Sequence, residues 1–172
     1  VFEKAKRQLG EYLPDLPYPL LSGLPLQDKH WKDIARNASW QVTRMSLNSF
    51  LRHGVFEDKD VTSIVANRLK NPQAIKRARV LPYQLLNAWM QCADDVPVVV
   101  REALQDAMEI AISNVPFMAG NIAIGVDVSG SMMSPVTGSR GSATSKVTCL
   151  HAAALFAAAI LRRNRQAQIL PF

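Results

Sequence analysis

A short polar motif, Asp127-Val128-Ser129-Gly130-Ser131-Met132, directly follows the apolar run 121–126. It places one carboxylate and two hydroxyls, those of Asp127, Ser129 and Ser131, at a spacing of two residues. Oxygen ligands of this kind are the ones that hard cations such as Mg²⁺ prefer. The motif therefore predicts a divalent-cation site, with Gly130 expected to let the backbone turn tightly enough to aim both hydroxyls at one point. In the alternative interpretation, Asp127 and the serines form an Asx-turn or cap a helix.

Basic residues are the second group that could do chemistry. The chain of 172 residues has a formal net charge of +6, which indicates polyanionic partners, nucleic acid first, with a merely basic soluble protein as the alternative. Residues 29–79 carry eleven Lys or Arg against four Asp or Glu, and residues 121–172 carry five against one. The candidate phosphate-binding residues are Lys32, Arg36, Arg44, Arg52, Lys76, Arg77 and Arg79.

These candidates fall into three groups by spacing. The groups are the dense cluster Lys76, Arg77 and Arg79, the pair Arg44 and Arg52 on one expected helix face, and the i,i+4 pair Lys32 and Arg36. For any single residue, the alternative is a solvated helix face with salt bridges to Asp33, Glu57 or Asp58.

The remaining reactive residue types do not indicate catalysis. Cys92 and Cys149 lack metal-ligand spacing and predict two buried, reduced thiols in a cytoplasmic protein without zinc. No nucleophile–base constellation, phosphate-binding glycine loop or pair of catalytic carboxylates is present, and His151 is expected to be packed in an Ala-rich helix. We therefore expect a protein that is not an enzyme. The tryptophans lie on apolar stripes and are expected in the core rather than as base-stacking platforms, at Trp31, Trp40 and Trp89.

The elements that must position these residues begin with helices. Periodic apolar residues predict helices throughout 27–114, after a Pro-marked connection over 13–26. The predicted starts are at Asp28, Ser39, Asp58 or Asp60, Asn71-Pro72, Leu81-Pro82 and Val96-Pro97. The helix that Ser39 begins is expected to run unbroken to His53-Gly54. Short helices joined by tight turns favour antiparallel pairs, in a bundle or a solenoid of repeats.

The pattern changes near Pro116. Residues 121–128 form a continuous apolar run, which predicts a strand buried on both faces of a parallel sheet. A Ser/Gly/Thr-rich loop over 129–145, an Ala-rich helix from about Thr144 to Arg163 and a second apolar run over 167–172 complete a βαβ unit. Open α/β sheets bind ligands at the carboxyl ends of their strands, which is where the Asp127 motif lies.

The residues from Ile124 to Met132 resemble the opening of a von Willebrand factor A domain with its metal-ion-dependent adhesion site. The resemblance implies that Asp127, Ser129 and Ser131 are metal-site residues. It also implies that a Thr and an Asp on two later loops complete the site beyond Phe172. We therefore expect an incomplete site for a divalent cation, Mg²⁺ in first place. A chain that starts without Met and ends abruptly is expected to be a fragment.

The helical part resembles the C-terminal half of the TROVE module of Ro autoantigen-type proteins. The resemblance rests on four segments in the family's order, followed by the Asp127 motif: Leu16-Pro17-Tyr18, Thr43-Arg44-Met45, 65–69 and 76–86. It implies α-helical HEAT-like repeats in residues 1–118, followed by a partial α/β unit of von Willebrand A, Rossmann-like type in residues 119–172.

The functional implication of that resemblance is an RNA-binding scaffold of a ribonucleoprotein. Its partners would be small noncoding (Y-like) or misfolded RNA, with a possible protein partner at the metal site, no membrane and no DNA specificity. Two rivals stay open. One is a metal-dependent protein–protein adhesion module of the von Willebrand A type without RNA binding, and the other is a chelatase-type A-domain protein acting in metal insertion. The basic helical half favours RNA, because an adhesion module does not need it.

Overall fold

The computed structural model describes residues 9–141 and 144–172 and is mostly helical. The helices, in chain order, are α1 (Tyr18–Leu21), α2 (Asp28–Asn37), α3 (Trp40–Met45), α4 (Leu47–Arg52), α5 (Lys59–Leu69), α6 (Pro72–Ala78), α7 (Pro82–Gln91), α8 (Val98–Ala111) and α9 (Cys149–Arg163). Short 3₁₀ turns cover Val55–Glu57, Ile112–Asn114 and Gly130–Met133. Two strands, β1 (Ala123–Val126) and β2 (Gln168–Pro171), form a small parallel sheet.

Polar side chains start several of these helices as the sequence predicted. The Ser39 hydroxyl accepts the backbone N–H of Val42, the Asp58 carboxylate accepts those of Asp60 and Val61, and Asn71 caps α6. Each of these oxygens satisfies a donor that the first helical turn leaves free. The first long helix differs slightly from the expectation, since its N-cap is Gln27 and Asp28 is already inside the helix.

The unbroken helix expected after Ser39 is wrong. The chain leaves helical geometry at Ser46, so that α3 and α4 are separate six-residue helices. Ser46 is buried, and its hydroxyl bonds to the hydroxyl of Tyr18 at 2.8 Å. A contact with a residue 28 positions away thus overrides a local apolar pattern that would suit one continuous helix.

The hydrophobic core lies in the helical part, around α5. This helix packs against α2, α3 and α8, and α7 packs on the far side of α8. Fully buried side chains from successive helices fill the space between them, including Phe50, Val65, Leu69, Leu85 and Leu104. Burying each such side chain stabilises the fold by about 1.5–3 kcal/mol, so the helical array has a core of its own.

The βαβ unit forms as predicted, with different boundaries and burial. Ala123 pairs with Gln168 and Val126 with Pro171 in parallel register. The expected burial of the first strand on both faces is wrong: only Val126 is buried, and β2 is exposed throughout. Within the described residues the sheet has two strands, and α9 is the long helix in contact with them, so much of the apolar surface meets solvent.

The long helix also starts later than the sequence predicted. α9 begins at Cys149, and Thr148 accepts the backbone N–H of His151 as its cap. The preceding residues fold back along the loop instead, where the N–H of Val136 donates to the carbonyl of Val147 at 2.9 Å. This backfolding fixes the far end of the loop that follows the Asp127 motif.

The α/β unit rests on α7 and α8 through polar contacts. The Ser145 hydroxyl donates to Asn87 Oδ1 at 2.5 Å, and Gln91 Nε2 donates to the Thr144 carbonyl at 3.0 Å. Further along, Arg162 pairs with Glu109 at 2.7 Å, and the rings of Tyr83 and Phe156 lie 6.0 Å apart, centre to centre. Helices before residue 115 and the α/β unit after it therefore share one interface.

Candidate functional site

The Asp127 motif lies where β1 ends, on an exposed loop. Asp127 Oδ1 accepts the backbone N–H of Ser129 at 2.8 Å, and the Ser129 and Ser131 hydroxyls lie 3.0 Å apart. The structure thus brings the three predicted oxygen donors into one local cluster. The first of these bonds is also the Asx-turn of the alternative interpretation, so the loop has both features at once.

The charge and spacing of this cluster fit a hard cation. The Ser129 amide, and after it the Ser129 hydroxyl, hold the pKa of the Asp127 carboxyl below its usual value, so the group stays ionised. Neighbouring ligands of an octahedral Mg²⁺ site lie about 3 Å apart, which is the separation of the two hydroxyls. A carboxylate also has lone pairs beyond the one that the Ser129 amide uses.

Two features of the loop limit the site. Among residues 9–141 and 144–172, no group of three or more His, Cys, Asp or Glu side chains is close enough to hold a metal ion. Asp127 is therefore joined by hydroxyls and not by further carboxylates. The role expected of Gly130 is wrong: its φ is not left-handed, and a Cβ there would meet no atom within 4 Å. Any residue could take that turn conformation.

The densest predicted basic cluster is exposed. Lys76 and Arg77 lie in the last turn of α6, and Arg79 is its C-cap, with a left-handed φ of 50°. Within the part of the chain that the structure describes, none of the three has a carboxylate oxygen within 4.0 Å. This helix end therefore presents three cations to solvent on one short segment, as phosphate binding requires.

The pair Lys32 and Arg36 faces carboxylates. Arg36 Nη2 donates to Asp58 Oδ2 at 2.9 Å, and Asp33 lies 3.8 Å from Arg36 Nη1. Bonds from the Val61 and Asp60 amides, with Arg36 and Lys32 adding smaller effects, lower the pKa of Asp58. The salt-bridged interpretation applies to Arg36, whose charge is partly neutralised here.

The expectation that Arg44 and Arg52 share a helix face is wrong, because they lie on α3 and α4, either side of the break at Ser46. Arg52 is exposed and donates to the Ser49 hydroxyl on its own helix at 3.2 Å. Arg44 is half-buried, lies over the Trp40 ring and donates to the Gln84 carbonyl at 3.1 Å. The two arginines therefore have different surroundings.

The tryptophans lie in or against the core. Trp40 is buried and donates to the Leu69 carbonyl at 2.9 Å, while Trp31 and Trp89 are partly buried against the core. Trp31 stacks on His53, with ring centroids 4.9 Å apart. The packed position expected for His151 is wrong: it is exposed, and its Nδ1 accepts the Thr148 amide.

The two cysteines differ from each other. Both are free thiols, but Cys92 is buried, and desolvation raises its pKa, whereas Cys149 is only half-buried at the start of α9. The expectation of two buried thiols is therefore met at Cys92 alone.

Sequence analysis missed two polar residues on α7. Asn87 and Gln91 make the bonds that join α7 to Ser145 and Thr144 and also line a cleft beside Arg44. Their i,i+4 spacing places them on one helix face, but an amide pair on an amphipathic helix has no pattern that separates it from an ordinary solvated face.

No protein-family model matches the chain, and no curated protein matches it. Among solved structures, the crystal structure of the Deinococcus radiodurans Ro (RSR) protein is similar, with a TM-score of 0.69 and 25% sequence identity. The match covers 91% of this chain and 33% of that one, so this chain spans about a third of the length of the Ro protein. The similarity extends over both the helices and the α/β unit and indicates a Ro-like relationship. Within the described residues, no helix is both long and apolar enough to cross a membrane.

Proposed function

We propose that this chain is part of a noncatalytic RNA-binding scaffold of the Ro type, and that its helical half contacts small noncoding (Y-like) or misfolded RNA in a ribonucleoprotein. The observation that carries the proposal is the structural similarity to the Ro protein over 91% of the chain. The basic exposed end of α6 supports it, because Lys and Arg side chains bind the phosphate backbone and release counterions. On this proposal, residues 1–118 belong to a TROVE module of HEAT-like repeats, and residues 119–172 begin a von Willebrand A domain in a cytoplasmic protein.

The cation site is the second part of the proposal. Asp127 would supply the anionic ligand and Ser129 and Ser131 the neutral ones, with the Thr and Asp that the family resemblance implies completing the shell. A bound divalent cation would supply a positive charge at the sheet edge that can attract an anionic partner group. The chain's own contribution is to keep the Asp127 carboxyl ionised and the two hydroxyls together.

Salt-dependent RNA retention tests the first part. We expect Lys76→Gln/Arg77→Gln/Arg79→Gln to weaken binding of a small RNA by about tenfold or more and to lower the log–log salt slope by about 2. The measurement is filter binding at two salt concentrations, with the whole chain.

The control variant removes the same charge elsewhere. Arg140→Gln/Arg163→Gln/Arg165→Gln also takes away three exposed cations, but from the α/β unit. It should change affinity far less than the α6 variant. Equal losses in both would mean that net charge alone binds RNA, and no salt-sensitive retention by the parent protein would end the proposal.

A single substitution separates charge from folding within the cluster. Arg79→Gly removes a cation at a left-handed position that glycine adopts freely. The strain relieved in the folded state and the entropy added to the unfolded chain oppose each other, so stability should stay within about 1 kcal/mol. Weaker RNA retention at unchanged stability would assign the loss to the charge.

The metal-dependent adhesion module remains the second candidate function. The exposure of the Asp127 loop favours it, because a partner carboxylate could reach a cation held there. That function predicts cation-dependent capture of an acidic protein with no effect of the α6 substitutions.

A further inference from the structure

A cleft opens between α3, α4 and α7. It has a volume of about 280 Å³ and is lined by Arg44, Asn48, Asn87 and Gln91, with Cys92 at its wall. Among the described residues, one cation and three side-chain amides line it, and no carboxylate does. The described lining therefore carries the positive charge of Arg44 with no negative charge beside it.

Arg44 is a half-buried cation with few partners among the described residues. Its Nε is buried without a hydrogen bond, and among the described residues its guanidinium has no carboxylate oxygen within 4.0 Å. Its one hydrogen bond to a described residue goes to the carbonyl of Gln84. Desolvation lowers the pKa of Arg44, which means that the surroundings disfavour its charge.

Arg68 provides the contrast within the same chain. Burial also lowers its pKa, but its guanidinium donates to the Ala35 carbonyl, the Thr43 hydroxyl and the Arg36 carbonyl. Arg68 thus satisfies helix-end acceptors and has a structural role. Arg44 is desolvated as well, but apart from its contact with the Trp40 ring its guanidinium has one hydrogen bond to a described residue, so its position is not explained by packing alone.

The opposite wall of the cleft supplies further donors. Asn87 Oδ1 accepts from Ser145, which leaves the Asn87 amide N–H groups without a described partner. Asn48 is held on both sides, donating to the Gln91 carbonyl at 2.8 Å and accepting the Ala93 amide at 3.0 Å. A guanidinium and an amide NH₂ can donate hydrogen bonds to different oxygens of one tetrahedral anion, and a guanidinium can bind phosphate in bidentate geometry.

We propose that this cleft binds a phosphate group, with Arg44 as its countercharge and the Asn87 amide as a second donor. The phosphate comes either from an RNA backbone, in which case the inference rests on the proposed function, or from free phosphate or a nucleotide. Arg44 is then a binding residue distinct in role from the exposed cations of α6. Binding would supply the missing partner of the Arg44 guanidinium.

Titration with inorganic phosphate at constant ionic strength tests the site directly. We expect saturable binding by calorimetry in the parent chain and a loss of about tenfold or more in Arg44→Gln, since a hydrogen-bonded charge pair is lost. Arg163→Gln removes the same charge from an exposed position at the end of α9 and should bind within about twofold of the parent. Absence of saturable binding in the parent, or equal weakening in both variants, would overturn the proposal.

A second variant separates binding from a structural role. Without phosphate, Arg44→Met should be as stable as the parent or more stable, because it removes an uncompensated, half-buried cation and keeps a flexible apolar stem. Marked destabilisation of Arg44→Met together with unchanged phosphate affinity in Arg44→Gln would make Arg44 a packing residue and refute the site.

Competition identifies the source of the phosphate. Displacement of phosphate by a short single-stranded RNA would assign the ligand to an RNA backbone, and failure of displacement would assign it to free phosphate or a nucleotide. If the protein retains no RNA but still binds phosphate through Arg44, the proposed RNA-binding function is refuted and the phosphate site is supported. If RNA retention depends on α6 but phosphate does not bind the cleft, the RNA-binding function is supported and the phosphate site is refuted.

Discussion

At the scale of single residues, the basic side chains of this chain have at least three different roles. Arg36 pairs with Asp58, Arg68 bonds carbonyls at a helix end, and Arg44 lines a cleft with no countercharge among the residues that the structure describes. The sequence shows where the basic residues cluster. It could not predict which of them form an ion pair, bond to carbonyls or line a cleft, because each role depends on partners 22 to 40 positions away in the chain.

A substitution at Asp127 can separate its role as a cation ligand from its role in the Asx-turn. Asp127→Asn keeps an oxygen that can accept the Ser129 N–H, so the free energy of unfolding should change by no more than about 0.5 kcal/mol. It removes the negative charge, so stabilisation by Mg²⁺ or Mn²⁺ should disappear in the protein that carries the complete A domain. Thermal unfolding with and without the cation provides the measurement.

The same experiment has a pH arm and a control. Because its bonds to the Ser129 amide and hydroxyl lower the pKa of Asp127, the carboxyl stays ionised in mildly acidic solution, and the cation-induced rise in melting temperature should persist from about pH 7 to about pH 5. Ser134→Ala, on the same exposed loop, should leave the shift intact. If Mg²⁺ or Mn²⁺ stabilised Asp127→Asn as much as the parent protein, the motif would be an Asx-turn without a cation-binding role.

At the scale of elements, side chains from elsewhere in the chain donate hydrogen bonds to carbonyls at the ends of several short helices. Asn114 donates to the Ile75 carbonyl in α6 and to the Val80 carbonyl just beyond that helix, and Arg68 donates to the Ala35 carbonyl near the end of α2. Helices of six to fourteen residues leave a large share of their carbonyls at an end. Local signals such as Ser39, Asp58 and Asn71 predicted the starts, but these tertiary bonds, like the Ser46–Tyr18 contact, were beyond a local pattern.

Substitution of Trp40 tests how much a helix end depends on a hydrogen bond from a distant side chain. Trp40→Phe keeps most of the buried ring but leaves the Leu69 carbonyl at the end of α5 without its indole donor, which should cost about 1–3 kcal/mol. Trp31→Phe is the matched control, since no hydrogen bond of its indole to a described residue is lost, and it should cost less. Chemical denaturation measures both, and equal costs would mean that ring volume dominates.

At the scale of the whole molecule, the α/β unit depends on the helical array. A two-stranded sheet is marginal by itself, and the core of this chain lies among the helices. The sequence predicted the order of strand, loop, helix and strand, and its change of pattern near Pro116. It could not predict that residues 144–147 lie outside the helix and that Thr144 and Ser145 bond to α7, because no Gly or Pro in this segment marks a later helix start and the bonded partners lie 53 and 58 positions away.

Ser145 is the test of that dependence. Ser145→Ala removes the bond to Asn87 and leaves the buried Val147 N–H without its acceptor, which should destabilise the interface by about 1–3 kcal/mol. We expect faster hydrogen exchange in β1, β2 and α9 and unchanged exchange in α5 and α8. Ser139→Ala, exposed on the same loop, should change neither, and uniform acceleration throughout the chain would contradict an interface-specific role.

The loop that follows β1 has one end at the Asp127 cluster and the other on α7, beside the phosphate cleft. Thr144 and Ser145 bond the two amide side chains that form the wall of that cleft. A cation that shifts this loop would therefore change phosphate affinity, and phosphate would change cation affinity by the same factor, because thermodynamic linkage is reciprocal. The loop would then couple the two sites, so that the measured affinity for one ligand depends on whether the other is bound.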